Sequence, residues 1–390
     1  MSRRAVLGAA LVIGIGVLVV GSLPGWIEAG VNRLRPEPLA SVGPLARELH
    51  ASVPVTDLHA DSLLWDRDLL EAGERGHLDL PRMRAGGIAL QVFPAVTVAP
   101  AGQNYERNER GLDPVTALVV VQGWPVRTWQ SPMARAAYQA EKLAGMERRS
   151  GGAFRRIRTR ADLETLLADR ASGKPVAGGI FAIEGGHALE GELENLARLD
   201  ALGLRVVGLT HFFDNRLGGS LHGVSRAGLT EFGRAVVREA GERGMIVDIA
   251  HASPAMVRDV LALTDRPVML SHGGFRGLCD RGRNLDDALM REVALRGGIV
   301  GVGFWEGAVC DATPGGVVRS LRYGIDLLGV DHVALGSDWD GATEVPFDAA
   351  GLPVLTQEML DAGFTESEVR KVLGGNAVRF LRDNLPSVAD

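Results

Sequence analysis

The sequence predicts an α/β chain folded as a closed (β/α)8 TIM-like barrel, preceded by a membrane-spanning or signal segment. Short β-rich apolar runs alternate with helical patterns, as in βαβ units around a parallel sheet. Eight such runs lie between Val53 and Asp338, and eight is the number that closes a barrel of this type. Several of the runs end in acidic or imidazole side chains, as expected where the C-terminal rim of a barrel carries the chemistry.

Arg3 and Arg4 precede an uncharged apolar run from Ala5 to about Ile27, closed by Glu28. A run of this length can cross a bilayer, and basic residues before it favour a cytoplasmic N-terminus. Residues 1–27 are therefore expected to be a transmembrane anchor or a signal segment. The rest of the chain is then inner membrane-anchored or exported, on the periplasmic side. Ile27-Glu28-Ala29 is a weak cleavage site, and Ser2-Arg3-Arg4-Ala5-Val6-Leu7 resembles a twin-arginine export signal. A buried core helix is a further reading. Arg33 and Arg35 reduce the charge asymmetry across the run. Residues 28–50, with Pro36 and Pro38, read as a linker, and residues 51–390 as the barrel.

The expected strands are Val53–His59, Ile88–Val96, Val176–Glu184, Arg205–His211, Met245–His251, Val268–His272, Ile299–Phe304 and His332–Asp338. The stretch at about 100–150, with Trp124, Trp129 and Tyr138, breaks the alternation and reads as an insertion between the second and third strands. Thr230 is placed to cap a helix running to Arg243, and Ser253-Pro254 opens another. Asp286–Arg296 and Val317–Leu328 each end before glycine. Thr365–Leu373 and Ala377–Leu385 are expected as a helical hairpin around Gly374-Gly375.

Net charge is −6 and aromatic content 5%, so the chain has no basic footprint for nucleic acid. Cys279 and Cys310 are too few for a cysteine-based metal site. They read as two isolated buried thiols, with a single disulfide as the alternative.

Of the nine histidines, His59, His211, His251 and His272 fall at C-terminal strand ends, as do Asp61, Glu184 and Asp338. Unpaired polar groups at such buried positions cost several kcal/mol, and a metal accounts for them together. His59 and Asp61, two apart on extended chain, point to one side. Glu184 is followed by two glycines, so it can approach closely and offer one oxygen to each of two ions. His251 and His272 end successive strands and can share an ion. His, His, Asp and a bridging Glu suit zinc in type and number. Asp338 is the candidate proton acceptor for the attacking water, with Asp340 as the fallback or as a substrate-side group. His211 is placed to donate to a developing oxyanion. His187 reads as a supporting or structural residue, and His222 as a group near substrate. His332 reads as structural, and His50 and His77 carry no case.

Several ordered motifs sharpen this reading: Asp57-Leu58-His59-Ala60-Asp61, Asp79-Leu80-Pro81-Arg82-Met83, Ile183-Glu184-Gly185-Gly186-His187 and Leu209-Thr210-His211. After them come Asp248-Ile249-Ala250-His251, Ser271-His272, Arg283-Asn284, Gly336-Ser337-Asp338-Trp339-Asp340-Gly341 and Leu373-Gly374-Gly375-Asn376. From about Val55 to Leu385 the chain resembles the membrane dipeptidase (renal dipeptidase) family of amidohydrolase-like, metal-dependent hydrolase barrels. The resemblance implies two zinc ions per chain, one on His59 and Asp61 and one on His251 and His272. Glu184 and a water or hydroxide would bridge them. It places His211 beside the scissile carbonyl and Arg283 on the substrate's terminal carboxylate, a bidentate task that suits a guanidinium. It implies hydrolysis of dipeptides, L-D dipeptides among them. Rival readings are another binuclear amidohydrolase activity on the same metals, such as an N-acyl amino acid hydrolase or lactonase, or a non-catalytic membrane-tethered peptide-binding protein. Oligomeric state is open, a homodimer included.

Overall fold

The computed structural model describes residues 22–387. Most of the expected membrane or signal segment, residues 1–21, lies outside the described residues. Residues 22–31 are helical, and no helix among the described residues is long and apolar enough to cross a membrane.

The eight barrel strands, numbered here in chain order, are β1 Val55–Asp57, β2 Ile88–Val96, β3 Ala177–Glu184, β4 Leu204–Gly208, β5 Ile246–Asp248, β6 Met269–Gly273, β7 Ile299–Val302 and β8 Val333–Leu335. All neighbours pair in parallel, β8 pairs with β1, and β2 closes on β3 through the register Leu90↔Gly178 to Val96↔Glu184. Every residue of these strands is buried, because helices cover the outer face and side chains fill the lumen; hence unbroken rather than alternating apolar runs. Leu58, Leu90, Ile180, Val206, Ile246, Met269, Ile299 and Ala334 form one cluster with Phe380 and Leu381 of the last helix, Asn376–Asn384.

The capping signals act as read. Thr230 accepts from Gly233 N, Ser253 from Met256 N and Asp286 from Leu289 N. One helix starts earlier than expected, at Pro314, because Thr313 takes the cap. The expected hairpin near the C-terminus is not one. Glu366–Arg370 runs through a π-helical turn, Lys371–Gly375, into Asn376–Asn384. Gly375 is itself helical (φ −55°, ψ −43°). Gly374 serves close approach rather than a turn, since a Cβ there would lie 2.1 Å from the Pro54 carbonyl oxygen.

The stretch expected as a linker carries Arg33–Leu34, parallel to Glu344–Val345, and the helix Pro44–Ala51. The 100–150 stretch holds the helices Pro114–Val121 and Pro132–Arg149. Trp124, Trp129 and Tyr138 pack there against Leu64, Trp65 and Val96, and the buried Arg135 ties Thr97 O (2.7 Å) to Asp113 Oδ2 (2.6 Å). Cys279 and Cys310 are not isolated thiols. They are disulfide-bonded, Cα to Cα 5.5 Å, and join the segments that follow β6 and β7.

Candidate metal centre

Glu184 is the last residue of β3 and His272 lies within β6, so sheet hydrogen bonds fix both. His59, His211, His251 and Asp338 stand two or three residues past β1, β4, β5 and β8. His251 and Asp338 both have φ of 61°, a left-handed backbone that costs a non-glycine residue about 1–3 kcal/mol and persists where the surroundings over-determine it. At Asp338, the N–H donates to His59 O (3.2 Å) and Thr343 Oγ1 donates to the carbonyl (2.8 Å).

The strand ends bring the expected residues to one point. Glu184 Oε1 lies 3.5 Å from His59 Nε2, 3.2 Å from His251 Nε2 and 3.4 Å from His272 Nε2, and Glu184 Oε2 lies 3.4 Å from His211 Nε2. Asp61 Oδ1 is 3.5 Å, and Asp338 Oδ1 3.9 Å, from His59 Nε2. His251 Nε2 and His272 Nε2 face each other at 3.0 Å. All seven side chains are buried.

Burial works against charge at His59, Glu184, His211, His251, His272 and Asp338. At His59 the nearby Asp61, Glu184 and Asp338 outweigh it and hold the imidazole at about 10. Burial, with repulsion from Asp61, pushes the Glu184 and Asp338 carboxyls well above the usual carboxylate range. Burial keeps His251 and His272 neutral, and takes His211 down to about 3. His59 Nε2, Asp61 Oδ1 and Glu184 Oε2 are buried without a hydrogen-bond partner among the described residues. Neutral imidazoles with facing lone pairs, crowded acids and orphaned donor atoms together fit a cation. The three groups of described residues able to hold a metal all fall in this cluster: His59–Glu184–His272, Glu184–His211–His251 and His59–Asp61–Asp338.

Surrounding residues orient the cluster. Ser271 Oγ lies 3.1 Å from His59 Nδ1 and 2.9 Å from His272 Nδ1, leaving both Nε2 atoms to face inward. His211 Nδ1 donates to Val98 O (3.2 Å), so in the neutral ring Nε2 is a lone pair. Donation to an oxyanion, the role read from the sequence, therefore requires the imidazolium. Asp340 has its carboxylate fully engaged, by Arg67 Nη2 and His77 N (2.6 Å each) and by Ser62 Oγ. Those contacts leave it no free oxygen for acid–base work. Arg283 is buried, donates to His272 O (2.7 Å) and sits 5.4 Å from the Trp305 ring centre, with Nε unpaired among the described residues. A cavity of about 120 Å³ opens over the cluster, walled by Trp65, Tyr105, Phe212, Arg283 and Trp305. A larger groove of about 720 Å³, lined by Val98 and Phe213 among others, has none of the clustered acids in its wall.

Residues 45–386 match the family described as membrane dipeptidase, peptidase family M19. The chain belongs to the membrane dipeptidase family. It is 29% identical over 335 residues to dipeptidase 3 of Mus musculus, covering 79% of this chain and 63% of that one. The chain spans between half and two thirds of the length of the curated relatives it matches. Among solved structures, the metallo peptidase described as dipeptidase AC is 28% identical with a TM-score of 0.72, over 86% of this chain and all of that one. A metallo peptidase from Rhodobacter sphaeroides, liganded with a phosphinate mimic of the dipeptide L-Ala-D-Ala, is 27% identical with a TM-score of 0.69, over 85% and 99%.

Within this family member the remaining histidines hold structure. His50 bridges Thr356 Oγ1 and Gly86 O, and His332 contacts Gly298 O. His77 accepts from Asp340 N, and His187 packs on Phe213 with neither nitrogen bonded among the described residues. His222 contacts Tyr105 O, its ring 5.2 Å from that of His251. Arg67, Tyr105 and Trp305 carry no role in the sequence reading, and Ser271 enters it only within the Ser271-His272 motif. Ser271 carried a signal, being a hydroxyl next to a strand-end histidine. Tyr105 and Trp305, joined by a 2.7 Å bond from Trp305 Nε1 to Tyr105 Oη, look like any packed aromatics until folding brings an insertion and a strand-end loop together.

Proposed function

We propose that this chain is a zinc-dependent dipeptidase that hydrolyses short peptides with a free C-terminal carboxylate, L-D dipeptides among them. The central position of Glu184 carries the reading. One carboxylate within 3.5 Å of His59, His251 and His272 supports a binuclear site. In it His59 and Asp61 would hold one zinc and His251 and His272 the other, with Glu184 available to both. When bound, such a pair polarises a carbonyl and lets water ionise near neutral pH.

The chain's own groups do the rest. Asp338 takes the proton of the attacking water and returns it to the leaving amine; its place beside His59 and Asp61 and the full engagement of Asp340 both favour it. Arg283, buried with an unpaired Nε, clamps the terminal carboxylate while Trp305 supports its plane. His211 lies against the scissile carbonyl. Tyr105, Phe212 and Trp65 exclude water, and the small cavity restricts the site to short substrates. The dipeptide mimic held by the Rhodobacter relative supports an L-D substrate. A periplasmic-side, anchored or exported location is supported by Arg3 and Arg4 before the apolar run and by the Cys279–Cys310 disulfide, a bond of oxidising compartments.

A panel of L-L and L-D dipeptides, free and C-terminally amidated, tests the reading on zinc-loaded protein. Cleavage of free dipeptides is expected, abolished by chelator, restored by zinc, and lost on amidation. Failure to cleave any free dipeptide sinks it, and equal cleavage of amidated ones would remove the Arg283 clamp.

A further inference from the structure

The family match begins at residue 45, yet the segment before it reaches the wall of the candidate site. Glu28 is fully buried and receives Arg67 Nε on one carboxylate oxygen and Arg75 Nε (2.6 Å) on the other. Arg67 carries the contact onward, donating to Asp340 Oδ2 (2.6 Å) and to Leu78 O (2.8 Å). Asn32 Oδ1 accepts from Ala342 N (2.8 Å). Arg33 N donates to Thr343 O (3.0 Å) and Arg35 N to Val345 O (2.9 Å). His77 accepts from Asp340 N (3.0 Å) and faces Arg33 O (3.2 Å) with its other nitrogen.

The contacts of Arg67, Asn32, Arg33, Arg35 and His77 converge on the loop 338–345, which is the loop that needs them. Asp338, Asp340 and Ala342 have φ of 61°, 64° and 59°, and three non-glycine residues in the left-handed region hold only where neighbours fix them. The same loop supplies Asp338, and Gly341, Ala342 and Thr343 line the cavity.

We propose that residues 28–35 buttress the active site's wall from behind, with Glu28 and Asn32 acting as positioning residues. Through Arg67 and Ala342 they hold the strained loop 338–345 in the register that aims Asp338 at the cluster. The role given to Asp338 rests on the dipeptidase reading; the clamp itself does not.

Hydrogen exchange on the full chain, comparing wild type with Glu28→Gln and Asn32→Ala, tests the clamp without any assay of activity. Losing one buried, charge-assisted partner is expected to speed exchange at 338–345 by about tenfold or more, with the strands at 269–273 and 299–302 unchanged. On zinc-loaded enzyme, kcat falls about tenfold while KM stays within about twofold, the mark of a misplaced group rather than a lost binding contact. Should Glu28→Gln fail to fold, Asn32→Ala, which removes one neutral hydrogen bond, reads the same loop. Unchanged exchange at 338–345 in the folded variants overturns the proposal. So does an even rise over the whole barrel, or faster loop exchange with kcat untouched. If wild type cleaves no dipeptide, the catalytic reading fails and the exchange comparison still decides the clamp.

Discussion

The acids and imidazoles at the rim were legible because each ends an apolar run, where a charged or imidazole side chain has no reason to be buried alone. Ser271 was not legible in that way. Its hydroxyl oxygen lies within hydrogen-bond reach of both His59 Nδ1, 212 positions away from Ser271, and His272 Nδ1 on the next residue, and only folding makes one group serve two rings. Such supports typically tune metal affinity by about 10–100-fold. Ser271→Ala is therefore expected to weaken zinc binding by about that factor in a competition titration against a chelator, with the fold intact. Unchanged affinity would show that the rings need no such guide. Asp340 teaches the converse. By type and spacing it stood as the fallback to Asp338; Arg67, His77 and Ser62, all distant in sequence, occupy its carboxylate, which no local signal foretells.

At the scale of elements, the strands were legible and the join near the C-terminus was not. Parallel strands buried on both faces write themselves as apolar runs, so all eight were found, with ends shifted by up to three residues where the rim residues leave the ladder. Gly374-Gly375 signals a turn in isolation. In the structure the pair lies in a π turn pressed against the start of β1, and the signal was one of contact instead. Gly374→Ala would drive a methyl into the Pro54 carbonyl, 2.1 Å away. Overpacking against backbone typically costs about 1–3 kcal/mol, and denaturant unfolding is expected to show a loss of that order. A variant as stable as wild type would mean the helix and β1 can part freely. The insertion was located by its break in alternation, but nothing local in it told that Tyr105 would wall the cavity.

For the whole molecule, burying so many neutral imidazoles has a consequence for pH. Burial lowers His50, His77, His187 and His222. His187 falls from 6.5 to about 4, with no hydrogen bond to either nitrogen among the described residues. Between those values the unfolded chain binds a proton that the folded chain refuses, so stability is fully present above about 6.5 and drains away as pH falls toward 4. The part due to His187 is roughly 2–3 kcal/mol. Unfolding measured from pH 7 to 4 should show this decline, flattened in His187→Phe; an identical slope in that variant would place the acid sensitivity elsewhere.

The Cys279–Cys310 bridge has an effect that reaches past stability. It stitches together the two loops that contribute Arg283 and Trp305, the corner that would grip the end of a substrate. The cation cluster owes nothing to it, being hung from the barrel staves themselves. Opening the bridge with a reductant would slacken the grip and leave the cluster in place, so that, on the proposed dipeptidase reading, a reducing medium would make the site less choosy before it made it idle.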